Sequence, residues 1–359
     1  MRILVFTAAL FISYYTFAQD MEYPDSLPIN KIQQIGSHNS YRKTPYKRVL
    51  NLVKLLNPFF PKLKAPYHQW QYSHLPLDSQ FQNYGIRSIE LDIYNDPQGG
   101  KFYKRQINAV CFAPRSSREP ALLWPGMKML HIADLDYNTN YFTLNHALHA
   151  IKKWSSEHPT HYPLLVMIET KDDAVGDHVK IAGFQKAIKF DINAYKDLVK
   201  EIEDVFADNP AQILRPDDVR GNEATLRDAV TKHGFPKLGD CRGKVAFIVM
   251  GGQREVNLIT KEHPSFSGMP FFMFSGTDKP ESAFVKLDDP KSNFEQIKAA
   301  VAQGFIVRTR ADADTKEAQF RDYSSFQKAK ESGAQMISTD FYKPFLKNGY
   351  VISREMLKK

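Results

Sequence analysis

Short apolar runs recur along the chain at 31–35, 86–94, 125–132, 164–171, 244–250, 270–274, 305–310 and 334–340. Between most of them lie stretches with a helical repeat: 77–84, 141–156, 192–206, 223–232, 292–303 and 315–331. Strands that alternate with helices must pair in parallel through crossovers. Eight such units predict an α/β fold, a single-domain (β/α)8 barrel of the TIM type. A chain of 359 residues accommodates one such barrel, which takes roughly 250 residues or more. The run Leu164-Leu165-Val166-Met167-Ile168 has no polar alternation, as a parallel strand covered on both faces requires.

The residues of richest chemistry fall where these runs end: His38, Asn39, Glu90, Asp92, His131, Glu169, Lys171, Arg308 and Asp340. A barrel gathers its active site at the carboxyl ends of its strands. His38 follows a strand directly, where a histidine is commonly structural but can also shuttle a proton near neutral pH. Asn39 beside it carries a hard oxygen suited to Ca2+. In 86–94 the alternation is strict, so Ile89, Leu91 and Ile93 share one face while Glu90 and Asp92 share the other. Two inward carboxylates repel unless a cation or a proton lies between them. A metal is the simplest resolution, and ion pairs with Arg87 or a lysine are the alternative. His131 is followed by Asp134 and Asp136, either of which could orient its ring. Arg308 and Arg310 share a strand face.

Composition limits the partners. The net charge of +8 and pI near 9.1 favour anionic surfaces. No nucleic-acid motif is present, which leaves an anionic membrane as the more plausible contact. A segment at 42–72 interleaves Arg42, Lys43, Lys47, Arg48, Lys54, Lys62 and Lys64 with Tyr46, Phe59, Phe60, Tyr67, Trp70 and Tyr72, around a short apolar helix pattern at 49–56. Basic and aromatic residues around such a helix suit an interfacial lipid contact. The same segment could instead fold back on its own domain. At the N-terminus, Arg2 precedes an apolar run that ends in Thr16-Phe17-Ala18, the pattern of an export signal cut after Ala18. Residues 19–359 would then form the mature barrel, secreted or periplasmic. The two cysteines, Cys111 and Cys241, are too few for a thiolate metal site and could be paired or free.

Six short motifs occur in order: Ser-His-Asn-Ser-Tyr at 37–41, Glu-Leu-Asp at 90–92, Leu-His-Ile-Ala-Asp at 130–134, Glu169 with Lys171, Val-Arg-Thr-Arg-Ala-Asp at 307–312 and Ser-Thr-Asp-Phe-Tyr at 338–342. Together they resemble the bacterial secreted Ca2+-dependent phosphoinositide-specific phospholipase C family, whose barrel is similar to the catalytic barrel of the eukaryotic enzymes. The resemblance implies a Ca2+ site from Asn39, Glu90, Asp92 and Glu169, and catalysis by His38 and His131. It implies that Lys171, Arg308, Arg310 and Asp340 hold the inositol ring and phosphate, and that Tyr342 stacks on the ring. The implied reaction is attack of the inositol 2-hydroxyl on phosphorus, with Glu90 or Glu169 taking its proton. His131 would protonate the departing diacylglycerol oxygen and His38 would hydrogen-bond the phosphoryl oxygen. A monomer is expected. Two rivals share the barrel: a glycerophosphodiester phosphodiesterase, which normally shows His-Arg-Gly where this chain has His38-Asn39-Ser40, and a non-catalytic inositol phosphate-binding barrel.

Overall fold

The computed structural model describes residues 23–56, 69–179 and 183–358. The export signal expected at 1–18, and Phe59, Phe60, Lys62, Lys64 and Tyr67 of the basic segment, lie outside the described residues. The strands are β1 (Gln34–Ser37), β2 (Ser88–Tyr94), β3 (Lys128–Met129), β4 (Leu164–Thr170), β5 (Val245–Met250), β6 (Phe271–Met273), β7 (Phe284–Lys286), β8 (Ile306–Arg310) and β9 (Met336–Thr339). All but β3 run parallel, in the order β6-β5-β4-β2-β1-β9-β8-β7. A single parallel bridge, Phe274 with Phe284, and a hydrogen bond from Ser275 N to Phe284 O at 3.1 Å bring the ends of the path together. The result is a nearly closed (β/α)8 barrel.

Local chemistry explains the strands. Leu164 to Ile168 of β4 and Val245 to Val249 of β5 are buried on both faces, between the barrel interior and the surrounding helices. In β2, Ile89, Leu91 and Ile93 are at most 1% exposed and join the main apolar core. Gly36 of β1 pairs with Ser88 of β2 so closely that a Cβ there would lie 2.7 Å from Ser88 O. Glycine is therefore required two residues before His38, where β1 and β2 come together. Helix α2 (Leu77–Tyr84) has the limits expected from its repeat and ends at Gly85, whose φ of +61° makes the left-handed cap.

Three elements depart from the sequence expectation. The run at 125–132 is not a barrel strand: only Lys128–Met129 is extended, and it pairs antiparallel to the outer end of β2. Its place in the barrel count is taken by β7, a three-residue strand too short to give a periodic signal. The helix expected over 315–331 is broken into Lys316–Phe320 and Ser324–Ser332, because Arg321 adopts φ +52° and ends the first piece.

The described part of the basic segment folds back on the barrel. Helix α1 (Lys47–Leu56) buries Val49 and Leu50, and Val49 packs with Tyr94, Phe102, Ile107 and Leu130 in a satellite core. Arg42, Trp70 and Tyr72 are buried as well, which removes them from any lipid contact. Cys111 and Cys241 are both free. Among the described residues, no helix is long and apolar enough to cross a membrane.

Candidate active site

The register between β2 and β4 sets Asp92 beside Glu169 and Glu90 beside Met167. Carboxylate oxygens of Glu90, Asp92 and Glu169 all lie within 4.8 Å of one another. Asp92 is fully buried, and its Oδ1 has no hydrogen-bond donor. Burial, with Glu169 and Glu90 adding to it, pushes the Asp92 carboxyl up to about 7 even though Lys171 pulls the other way. A buried carboxylate oxygen without a donor, beside two further acids, is the donor set that a hard cation such as Ca2+ takes.

Ion pairs are present too, formed with Lys171 and Arg308, while Arg87 donates to the carbonyls of Phe81 and Ile86. Lys171 Nζ lies 2.8 Å from Asp92 Oδ2 and 3.2 Å from Glu169 Oε1. Burial disfavours the charged Glu169, but Lys171 outweighs it and holds this carboxyl below its ordinary range. Arg308 is 1% exposed and grips Glu90 Oε2 at 2.8 Å while pairing with Asp288. Ion pairs with Lys171 and Arg308 thus take up part of the cluster's oxygens, while Asp92 Oδ1 is left without a donor.

Each candidate histidine has its Nδ1 on a carboxylate. His38 Nδ1 lies 2.8 Å from Asp340 Oδ1, and its Nε2 lies 3.7 Å from Glu90 Oε1. Arg310 approaches the same Nδ1 at 3.3 Å and Asp340 Oδ2 at 3.3 Å. The shorter, charge-assisted contact assigns the Nδ1 proton to the bond with Asp340 and leaves Nε2 as a lone pair. Burial, reinforced by Arg310, pushes the His38 imidazole well below the usual histidine range. His131 Nδ1 lies 2.7 Å from Asp136 Oδ2, and the same oxygen accepts from Arg42 Nε at 2.5 Å. Burial opposes ionisation of Asp136, yet Arg42 and His131 hold its carboxyl below the ordinary range. His131 acts electrostatically on both His38 and Asp92, so the two pairs converge on one site.

Of the two acids that could orient His131, Asp136 does so. Asp134, at φ +71°, instead accepts from the main-chain N–H groups of Gln106 and Gln185 and staples their loops. Asp340 serves His38 rather than standing free for a sugar. Arg308 braces carboxylates. Tyr342 is 2% exposed, stacked on His74 at 5.2 Å and edge-on to Tyr84, with its hydroxyl accepting from Leu75 N. That enclosure leaves no open ring face, in contrast to the stacking role that the resemblance implies. Sequence reasoning missed Arg42, read as a surface cation, and Asp288, which follows the missed β7. It also missed Asp312, which accepts from Asp340 N at 2.8 Å and from the Thr339 hydroxyl. Burial, followed by Asp340, pushes Asp312 up to about 7.

The family described as phosphoinositide phospholipase C, Ca2+-dependent, matches residues 27–355. A Ca2+-dependent phosphoinositol-specific phospholipase C from a Pseudomonas species superposes with a TM-score of 0.53 at 15% identity, covering 89% of this chain and 95% of that one. A Ca2+-dependent phosphatidylinositol-specific phospholipase C from Streptomyces antibioticus gives a TM-score of 0.54 at 15% identity, covering 88% and 95%. At such identities the structural likeness is one of fold. No curated protein sequence matches the chain. The family match spans nearly the whole described barrel and includes every strand-end residue of the site, and the chain belongs to the Ca2+-dependent phosphoinositide phospholipase C family of phosphodiesterases.

Proposed function

We propose that the protein cleaves phosphatidylinositol-type lipids to diacylglycerol and a cyclic inositol phosphate, with His38 and His131 moving the protons. The observation that carries this reading is the pair of carboxylate-held histidines, His38 on Asp340 and His131 on Asp136, around one acid cluster. Glu90, Asp92 and Glu169, with Asn39, would hold Ca2+, which when bound supplies Lewis-acid stabilisation to the reacting oxygens.

With its Nδ1 proton on Asp340, His38 presents a lone pair at Nε2 and takes the proton of the inositol 2-hydroxyl. Of the two bases that the resemblance offers, Glu90 is tied to Arg308 and Glu169 to Lys171. The 2-oxygen bonds to phosphorus, the bond from phosphorus to the diacylglycerol oxygen breaks, and His131 Nε2–H protonates that oxygen. Arg310, with donors beyond those facing Asp340, stabilises the phosphoryl oxygens. Lys171 balances the acids from the rim of the site.

The test is phosphorus NMR of the protein with phosphatidylinositol vesicles, first with Ca2+ and then with excess EGTA. A cyclic inositol phosphate resonance that appears only with Ca2+ is the expected result. Turnover of glycerophosphocholine with none of phosphatidylinositol would replace this reading by the glycerophosphodiesterase one.

The same reading requires contact with a lipid surface. Leu55 at the end of α1 is 67% exposed on a basic helix, and the sequence continues into Phe59 and Phe60. Leu55→Ser combined with Phe59→Ser and Phe60→Ser is expected to release the protein from anionic vesicles in a sedimentation assay. Unchanged sedimentation would remove this segment from the interface.

A further inference from the structure

Asn39 sits in the left-handed region of the backbone, which asparagine tolerates better than most residues with a side chain. Its φ is +49° and it is 2% exposed. Its side-chain amide has a donor end and an acceptor end, and only the oxygen can ligate a cation. What decides which end faces the site is the partner of the other end. Asn39 Nδ2 donates to the hydroxyl of Tyr72 at 3.1 Å. Tyr72 is 7% exposed, and the Arg42 guanidinium lies over its ring at 4.3 Å from the centroid.

The phenol oxygen of Tyr72 is the acceptor in this bond, so the amide turns its NH2 end to it. Oδ1 is thereby directed away from Tyr72. Two residues on, His74 Nε2 donates to the carbonyl of His38 at 2.8 Å, so the same short segment grips both members of the His38–Asn39 pair.

We propose that Tyr72 is a positioning residue that sets the Asn39 amide through the hydrogen bond its hydroxyl accepts from Nδ2, so that Oδ1 is presented to Ca2+. The inference rests on the reading of Asn39 as a Ca2+ ligand. It assigns the buried end of the basic segment a role in metal affinity rather than in lipid contact.

The experiment is a double-mutant cycle read by calorimetric titration of Ca2+ into the metal-stripped protein, with no substrate present. Asn39→Ala is expected to weaken Ca2+ binding, and Tyr72→Phe to weaken it by roughly 10-fold, as removal of an outer partner of a metal ligand does. The double variant should bind no more weakly than Asn39→Ala alone, because Tyr72 acts through Asn39. If Asn39→Ala binds Ca2+ as the parent does, the ligand assignment itself falls. If Asn39→Ala weakens binding while Tyr72→Phe does not, or if the two losses add, the ligand assignment stands and the role of Tyr72 is overturned. Should Tyr72→Phe fail to fold, the Asn39 side-chain NH2 resonances of the parent decide: they should stay protected from exchange when Ca2+ is added, and loss of that protection would overturn the role of Tyr72.

Discussion

His131→Ala should lower kcat by about 10²- to 10⁴-fold, the range lost when a positioned general acid is removed. Its KM should change little, because His131 contributes a proton rather than an anchor. The fold should survive: Asp136 keeps its bond to Arg42 at 2.5 Å when the imidazole goes, so no buried charge loses its partner. Asp136→Ala is expected to behave differently. It strips the buried Arg42 of its carboxylate, and breaking a buried pair costs about 3–5 kcal/mol. Arg42 also donates to the carbonyls of Tyr72 and Trp70, so the segment that carries the Asn39 clamp would loosen with it. Steady-state kinetics with thermal unfolding on both variants separates the two roles. A His131→Ala protein that retains full kcat would remove this residue from the chemistry. An Asp136→Ala protein that melts with the parent would show that the Arg42 pair contributes little to the fold.

Ca2+ should stabilise the folded protein by about 2.7 kcal/mol when present at 100 times its dissociation constant. The gain should depend on pH in a direction set by Asp92. Its folded carboxyl is raised to about 7, above the value near 3.9 expected in an unfolded chain. A raised carboxyl favours the protonated folded state, so the metal-free protein should lose stability as pH rises from about 4 to about 7 and level off above that. Bound Ca2+ favours the ionised form and should remove this loss. The gap between melting curves with Ca2+ and with EGTA should therefore widen across that interval. Asp92→Asn has no charge to titrate there, and its two curves should stay close at every pH. A constant gap in the parent protein would mean that Asp92 is not the group whose charge the cation balances.

Much of this protein was readable from periodicity. Strict alternation in 86–94 put Glu90 and Asp92 on one face, and the unbroken apolar run before Glu169 marked a strand covered on both sides. Parallel pairing then required that the ends of these strands meet, which gathered His38, the acids and Asp340 before any coordinate was known. Periodicity failed where it had too few residues to act on. A three-residue β7 carries no period, and with it went Asp288. At 125–132 an apolar run that ends in histidine looked like a barrel strand, whereas its pairing is antiparallel and outside the barrel.

The partners of the site residues lie in the tertiary structure alone. Whether Asp134 or Asp136 holds His131, and whether Arg308 faces a phosphate or Glu90, are questions of distance between segments remote in sequence. Arg42 and Tyr72 read as part of a basic, aromatic surface, because composition cannot tell a solvated cation from one buried on a carboxylate. Strand period and crossover topology are local rules, and they place His38, Glu90, Asp92, Glu169 and Asp340 at the carboxyl face from the order of residues alone. Donor and acceptor pairing is settled by packing between distant parts of the chain, so which of them pair with one another, and which keep an oxygen without a donor, emerges only once the barrel is folded.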